Sequence, residues 1–477
     1  APKAIRAAAK EQAALLFAVD DPYIRERAAD VRCVGTTLVK ALLGRNDAPP
    51  PAGVLILVGD DITPAAFDAL PEKRVGGMIF SAGSRTAHSA ILARAKGLPA
   101  VIGLGEALHE VGDGDLVIVD GDTGCVTAAP TPANKKAARE AMRRWQEKCQ
   151  AMAALAKAPA MTKDGAPITL SGNAGSAADV AAAMEAGADG IGLFRSEFLF
   201  LGRKTFPTEE EQYAAYRAAI EAAKGRPCII RTLDVGADKA IPALHLPPEE
   251  NPALGQRGIR VSLAHPALLK SQLRAILRAG SAGSVGLLLP FVVSGEEITA
   301  VKALLAEAKE ELARAHLPFA AHVPLGLTVE TPAAAIMADR LAKEVDFFSI
   351  GTNDLTQYTL AADRTNPASD AMGGWLHPAV LRLIAQTAKA GKDAGIPVTV
   401  CGEMAADPLS LPLLVGMGIQ ILSMDAPSLL FLRAAVHRLS AKDARRLWGH
   451  VQTLDSAADI RAYVSAEAEK RAANAAP

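Results

Sequence analysis

The stretch "DFFSIGTND" (Asp346–Asp354) is a short apolar run that breaks at a glycine and then turns polar. Too short for a buried helix, it reads as a strand covered on both faces, the kind a parallel sheet uses. Seven further runs have the same character: "PITLSGN" from Pro167, "GIGLFR" from Gly190, "CIIRTLD" from Cys228, "GLLLPFV" from Gly286, "PLGLTVE" from Pro324, "PVTVCGE" from Pro397 and "IQILSM" from Ile419. Helical segments separate them. Eight buried strands alternating with helices predict a (β/α)8 barrel, in the α/β class, over residues 160–477.

Such a barrel carries its active site at the C-terminal ends of its strands. The runs end in Asn173, in Arg195, in Arg231 with Asp234, in Glu330, in Asn353 with Asp354, and in Cys401 with Glu403. Arg257 in "LGQRGIR" and Arg364 in "AADR" add two more guanidinium groups to this side. Planar, permanently charged forks clamp a small polyanion that bears both phosphate and carboxylate. Glu330 and Asp354, at the ends of neighbouring strands, offer the one or two carboxylates by which Mg2+ is commonly held. A metal ion with converging arginines makes a phosphoryl-transfer site. Cys401 follows a β-branched run and, on that ground alone, is a small buried hydrophobe. Its place at a strand end instead suits a thiol that donates a proton to a carbanion or enolate.

Ahead of the barrel, Val54 to Val126 alternates short β-type runs with turns and predicts a small α/β domain. Within it, "GSRTAHSAILARAKGLPAVIG" (Gly83–Gly103) sets His88 in a Gly/Ser/Thr turn where an apolar helix begins. Free backbone N–H groups and the helix dipole favour an anion there, and a neutral imidazole is a nucleophile near pH 7. Residues 133–158 are helix formers without Gly or Pro and suit a connecting helix. Residues 1–44 carry helical spacing up to the punctuation "GRNDAPPPAG". The expected division is 1–47 helical, 48–130 small α/β domain, 131–159 linker helix and 160–477 barrel.

Lys and Arg number 51 against 52 Asp and Glu, so nothing in the charge balance attracts nucleic acid or an anionic membrane. No apolar run is long enough for a membrane span, and the opening residues lack a signal peptide's layout. A cytoplasmic protein is expected. The five cysteines are odd in number, scattered and without a C-x-x-C pair, which fits neither a disulfide framework nor a zinc site.

Two long stretches, the one around His88 and "DFFSIGTNDLTQYTLAADR", together with "GIGLFRSEFLF", "TLDVGADK", "NPALGQRGIR", "VETPAAAIMA" and "CGEMA", resemble enzyme I of the bacterial phosphoenolpyruvate-dependent sugar phosphotransferase system. The resemblance covers nearly the whole chain. It implies a TIM barrel plus a small, swivelling phosphohistidine domain with a partial N-terminal helical segment, the remnant of a carrier-binding subdomain. It also implies phosphoenolpyruvate bound by Arg195, Arg231, Arg257, Asn353, Asp354 and Arg364, with Mg2+ on Glu330 and Asp354. The phosphoryl group would pass to His88, Cys401 would protonate the enolate to pyruvate, and phospho-His88 would hand its group to the carrier protein HPr or an HPr-like domain. A homodimer joined through the barrel and a reorienting small domain are further implications. Ser84 and Ala237 stand where the family commonly has glycine, and "LLLPFVV" and "GWLHPAV" also depart from its pattern. These suggest a divergent branch, such as the enzyme I portion of a fused multiphosphoryl transfer protein. Two rival readings are a fragment of a pyruvate phosphate dikinase or phosphoenolpyruvate synthase, and a non-catalytic phosphorelay module. The first calls for an ATP-binding domain that nothing here resembles, and the second sits poorly with an intact rim.

Overall fold

Short β-rich runs punctuated by turn residues form strands in the computed structural model, which describes residues 2–17, 31, 53–59, 62, 74–81, 93, 97–236, 241–244, 246–247, 249–363 and 373–473. A helix, Pro2–Phe17, comes first. Strands β1 (Leu55–Gly59), β2 (Val75–Phe80) and β3 (Ala100–Ile102) then pair in parallel in that order, with Met78, Ile79 and Phe80 buried. Strands β4 (Val117–Asp120) and β5 (Cys125–Ala128) make an antiparallel hairpin. Its turn is set by Asp120 Oδ1, which accepts the backbone N–H groups of Asp122 at 3.0 Å and Thr123 at 3.2 Å. The helix Pro132–Ala154 is mostly exposed, as its charge-rich sequence requires, and its Trp145 ring stacks on Phe431 at 5.2 Å between centroids.

Each of the eight apolar runs forms one barrel strand: β6 (Thr169–Ala174), β7 (Ile191–Arg195), β8 (Cys228–Arg231), β9 (Val285–Leu289), β10 (Leu325–Val329), β11 (Phe347–Ile350), β12 (Val398–Val400) and β13 (Ile421–Met424). Consecutive strands are parallel neighbours, and β13 closes onto β6 through Ile421 opposite Thr169 to Met424 opposite Gly172. Every residue of β9 and β10 is buried, as strands between a packed interior and a helical layer must be. Side-chain caps start the crossover helices where the sequence supplies Ser, Thr or Asp. Ser176 accepts from Asp179 N, and Thr208 with Glu211 forms a reciprocal capping box. Leu289 is wholly buried in the continuous core, so Leu289→Ala costs about 2–5 kcal/mol.

Cys125, Cys149, Cys228 and Cys401 are all free thiols, while Cys33 lies outside the described residues. Among the described residues no helix is long and apolar enough to cross a membrane.

Candidate functional site

The register of the barrel sets Arg195 at the end of β7 beside Arg231 at the end of β8. From there a chain of alternating charges crosses the rim. Glu197, in the turn after β7, pairs with Arg231 Nη2. Asp234 Oδ2 accepts from Arg231 Nη1 at 3.0 Å, and Asp234 also takes Arg257 Nε at 3.3 Å and Nη2 at 3.4 Å. Arg257 Nη1 then donates to Asp354 Oδ1 at 2.7 Å and to the Tyr358 hydroxyl at 2.9 Å. All five charged groups are nearly buried. Burial alone would lower the pKa of each arginine, but Asp234 with Glu197 for Arg231, and Asp234 with Asp354 for Arg257, raise both above the ordinary arginine value. Arg195 differs: it is exposed, and its side chain makes no ion pair or hydrogen bond among the described residues.

Glu330, at the end of β10, is 1 % exposed. Its Oε1 accepts the backbone N–H of Phe291 at 2.6 Å. Phe291 holds φ at 60°, a left-handed conformation that costs a non-glycine residue about 1–2 kcal/mol. The bond to a buried carboxylate offsets that strain. The Arg257 and Arg260 guanidinium groups lie over the Phe291 ring, 5.0 Å and 4.9 Å from its centroid, a cation–π contact that steadies the Arg257 fork. Burial, then the nearby charges of Asp234 and Asp354, push the Glu330 carboxyl up to about 8, against the opposing pull of Arg231 and Arg257. Glu330 and Asp354 are hard oxygen donors close enough to repel each other, which suits a shared divalent cation. Among the described residues no cluster of three or more His, Cys, Asp or Glu is arranged to cage a metal, so an ion here must complete its shell with other ligands.

Cys401 follows β12 and packs inside the barrel with Leu193, Leu288 and Phe347. Its Sγ points to the Ile350 carbonyl at 3.6 Å. Burial pushes the thiol above the usual cysteine value, only partly offset by the charge of Arg231, so it keeps its proton at neutral pH. Asn173 Nδ2 donates to the Cys401 carbonyl at 3.1 Å, and the Ser423 hydroxyl donates to Asn173 Oδ1 at 2.7 Å, which ties the ends of β6, β12 and β13 together. Asn353 Oδ1 accepts Glu403 N–H at 3.0 Å. Between them Gly402 runs so close that a Cβ there would stand 2.0 Å from Thr352 Oγ1, which is why this turn takes glycine.

Seven of the nine residues singled out in the sequence, Arg195, Arg231, Arg257, Glu330, Asn353, Asp354 and Cys401, thus stand at strand ends or on the adjoining turns of one barrel rim. His88 and Arg364 lie outside the described residues. Glu197, Phe291 and Tyr358 were not picked out from the sequence, and Asp234 was noted there without a role. The only sequence signal for Glu197 and Asp234 was their nearness to a strand-ending arginine. Together the rim can bind a small anion on fixed guanidinium groups, hold a divalent cation on oxygen, and deliver a proton from a buried thiol.

Comparison with known proteins agrees with this chemistry. The chain matches the family description "PEP-utilising enzyme, PEP-binding domain" over residues 149–441 and "PEP-utilising enzyme, mobile domain" over residues 51–124. It is similar to the phosphoenolpyruvate-protein phosphotransferase of Geobacillus stearothermophilus, 41% identical over 96% of this chain and 80% of that protein. The Bacillus subtilis phosphoenolpyruvate-protein phosphotransferase is 39% identical over 94% of this chain and 79% of its own length. A multiphosphoryl transfer protein of Rhodobacter capsulatus is 40% identical over 94% of this chain and 54% of its own length.

Proposed function

The chain belongs to the phosphoenolpyruvate-protein phosphotransferase family, and from that premise we propose how its own residues carry the family's reaction. The enzyme transfers the phosphoryl group of phosphoenolpyruvate to a histidine of its own, releases pyruvate, and passes the group to the histidine of HPr. In this chain the acceptor is His88. Arg195, Arg231, Arg257 and Arg364, with Asn353 and Asp354, hold the substrate's phosphate and carboxylate at the barrel mouth. The observation that carries the reading is the pair of buried guanidinium groups, Arg231 and Arg257, fixed side by side by Asp234 within the same rim as the protonated Cys401 thiol.

Arg231 and Arg257 enter the reaction already oriented, so little ordering cost is left for binding. A neutral ring nitrogen of His88 attacks phosphorus along the line of the bridging oxygen. The P–N bond forms as the P–O bond to the enolate breaks. The enolate carbon takes the proton of Cys401 Sγ, which gives pyruvate and leaves a thiolate to be reprotonated from solvent. Arg231, close enough to lower the Cys401 pKa, stabilises that thiolate. Glu330 and Asp354 would hold Mg2+, which when bound supplies positive charge to the phosphate oxygens. The donor set fits: both are hard oxygen ligands, and the mutual repulsion that raises the Glu330 pKa is what a dication relieves.

The same reading makes residues 1–47 part of a carrier-binding subdomain, 48–130 the swivelling phosphohistidine domain, 131–159 its arm and 160–477 the phosphoenolpyruvate-binding barrel. The working unit is then a cytoplasmic homodimer joined through the barrel. Incubation with Mg2+ and phosphoenolpyruvate, followed by intact mass spectrometry, tests the central step. One acid-labile phosphoryl group is expected on the parent and none on His88→Ala. Labelling of both proteins, or of neither, would sink the assignment of His88.

A further inference from the structure

Gln272 lies in the helix Pro266–Ala279, on a face otherwise made of Leu269, Leu273 and Ile276, and is 1 % exposed. A leucine or methionine there would avoid the cost of burying an amide. What the amide does is visible in its bonds. The Leu233 backbone N–H donates to Gln272 Oε1 at 2.9 Å. That bond settles which end of the amide is oxygen. Nε2 is left to donate to Ser196 Oγ at 3.1 Å and to the Tyr216 hydroxyl at 2.9 Å. Tyr216 donates onward to Gln212 Oε1 at 3.3 Å, and Gln212 Nε2 donates to the Pro207 carbonyl at 3.2 Å. The network is therefore bonded at every link and fully buried, a condition under which such networks are rigid.

Ser196 and Leu233 are each followed directly by a carboxylate that grips Arg231: Glu197 after the first and Asp234 after the second. One buried amide thus staples the turn after β7 to the turn after β8 at the residues that launch the two carboxylates. Arg231 Nη1 and Nη2 are taken by those carboxylates, and its Nε is buried without a hydrogen-bond partner. We infer that Gln272 is a positioning residue for phosphoenolpyruvate, which sets the spacing of Glu197 and Asp234 and through them aims the Arg231 guanidinium at the substrate's anionic oxygens. Glu197 is the nearer member of the same device. Its second oxygen, Oε2, has no hydrogen-bond partner, so its one bonded oxygen serves to orient Arg231. The inference rests on the reading of Arg231 as a phosphoenolpyruvate ligand.

The test uses the full chain with its HPr carrier and phosphoenolpyruvate, measuring pyruvate release for kcat and KM, thermal unfolding, and transfer from pre-phosphorylated enzyme to carrier. Gln272→Met keeps length and removes every hydrogen bond; Glu197→Asp keeps charge and shortens the arm. Each is expected to raise KM for phosphoenolpyruvate on the order of tenfold, toward the hundredfold that a misplacement of about 1 Å can cost. Transfer to the carrier should not change, since it does not use Arg231. The two substitutions combined should raise KM by less than the product of their separate effects, because they act on one arm. A lower melting temperature with KM unchanged would mean that Gln272 serves stability alone, and the inference falls. If Gln272→Met does not fold, an unchanged KM in Glu197→Asp overturns it equally. Arg231→Lys separates the two levels. Should it leave KM unchanged, the underlying reading of Arg231 fails; should it alone raise KM, only the positioning inference fails.

Discussion

Replacing Asp234 by asparagine should loosen both buried arginines at once. The carboxylate is 3 % exposed and binds Arg231 Nη1 at 3.0 Å, Arg257 Nε at 3.3 Å and Arg257 Nη2 at 3.4 Å. An asparagine of the same shape keeps one acceptor oxygen and turns an NH2 toward the other guanidinium, donor against donor. Hydrogen bonds to charged groups contribute about 1.5–3 kcal/mol each; with the amide oxygen at the Oδ2 position both of that atom's contacts are kept, and losing the long Arg257 Nε bond to Oδ1 costs about 2 kcal/mol. The full penalty for a broken buried pair, about 3–5 kcal/mol, is not reached because Glu197 still holds Arg231 and Asp354 still holds Arg257. At about 2–4 °C per kcal/mol, the barrel's melting temperature should fall by about 4–8 °C. The KM for phosphoenolpyruvate should rise in the same variant, because the two forks are no longer fixed before the substrate arrives. Differential scanning calorimetry at neutral pH and steady-state pyruvate release measure the two effects. A melting temperature within about 1 °C of the parent, well under 1 kcal/mol on that scale, together with an unchanged KM, would refute the idea that Asp234 holds the arginines.

Arg195→Ala should behave in the opposite way. Exposed and unpaired among the described residues, it should shift stability by no more than about 0.5 kcal/mol, yet raise KM by about tenfold or more as a charge-assisted bond to substrate is lost. A large fall in melting temperature with normal KM would contradict that. Cys401→Ala should slow pyruvate formation by about 10²–10⁴-fold in rapid-quench experiments while phosphoenolpyruvate still binds, and normal pyruvate formation would remove the thiol from the reaction. Because burial and the neighbouring carboxylates push the Glu330 carboxyl up to about 8, a cation bound there is expected to displace its proton. Apparent Mg2+ affinity should therefore rise by about tenfold per pH unit up to that value, with proton release in calorimetry, and a flat affinity over the same range would count against Glu330 as a ligand.

The barrel was legible because its strands are buried on both faces. "GLLLPFV" is wholly apolar and "PLGLTVE" carries only Thr328 before it ends at Glu330, and the strands they contribute to, β9 and β10, have every residue buried. The rim was legible for the related reason that polar residues resume at the strand C-termini, which named Arg195, Arg231, Glu330 and Cys401 directly. Partnership was not. Arg257 meets Asp354 across 97 positions of sequence, a pairing that only barrel closure creates. Glu197 follows an arginine and a serine and reads as an ordinary first-turn acid, yet it is buried against Arg231. Gln272 sits on an apolar helical face where one amide looks like an imperfection in the pattern, and its meaning appears only when the turns after β7 and β8 are seen side by side. His88 stood out by its helix-start setting, and its structural surroundings lie outside the described residues.

The electrostatic balance of the rim links substrate and metal. Arg195, Arg231 and Arg257 stand against the carboxylates of Glu197, Asp234, Glu330 and Asp354, and burial, together with the charges of Asp234 and Asp354, raises the Glu330 pKa. In the proposed site, phosphoenolpyruvate would add a phosphate and a carboxylate to a place where each buried arginine is already answered by an acid. The forks therefore supply direction more than net attraction. In the proposed site, attraction would come from Arg195, from Arg364 and from a cation held by Glu330 and Asp354. A dication bound by Glu330 in place of its proton would bring two positive charges and cost one, so on balance it would prepare the rim for the anion. By linkage the anion must strengthen cation binding by the same factor. In the proposed site the carboxylates thus serve two ends: they hold the guanidinium groups at fixed angles, and they would make tight binding of phosphoenolpyruvate conditional on a bound cation.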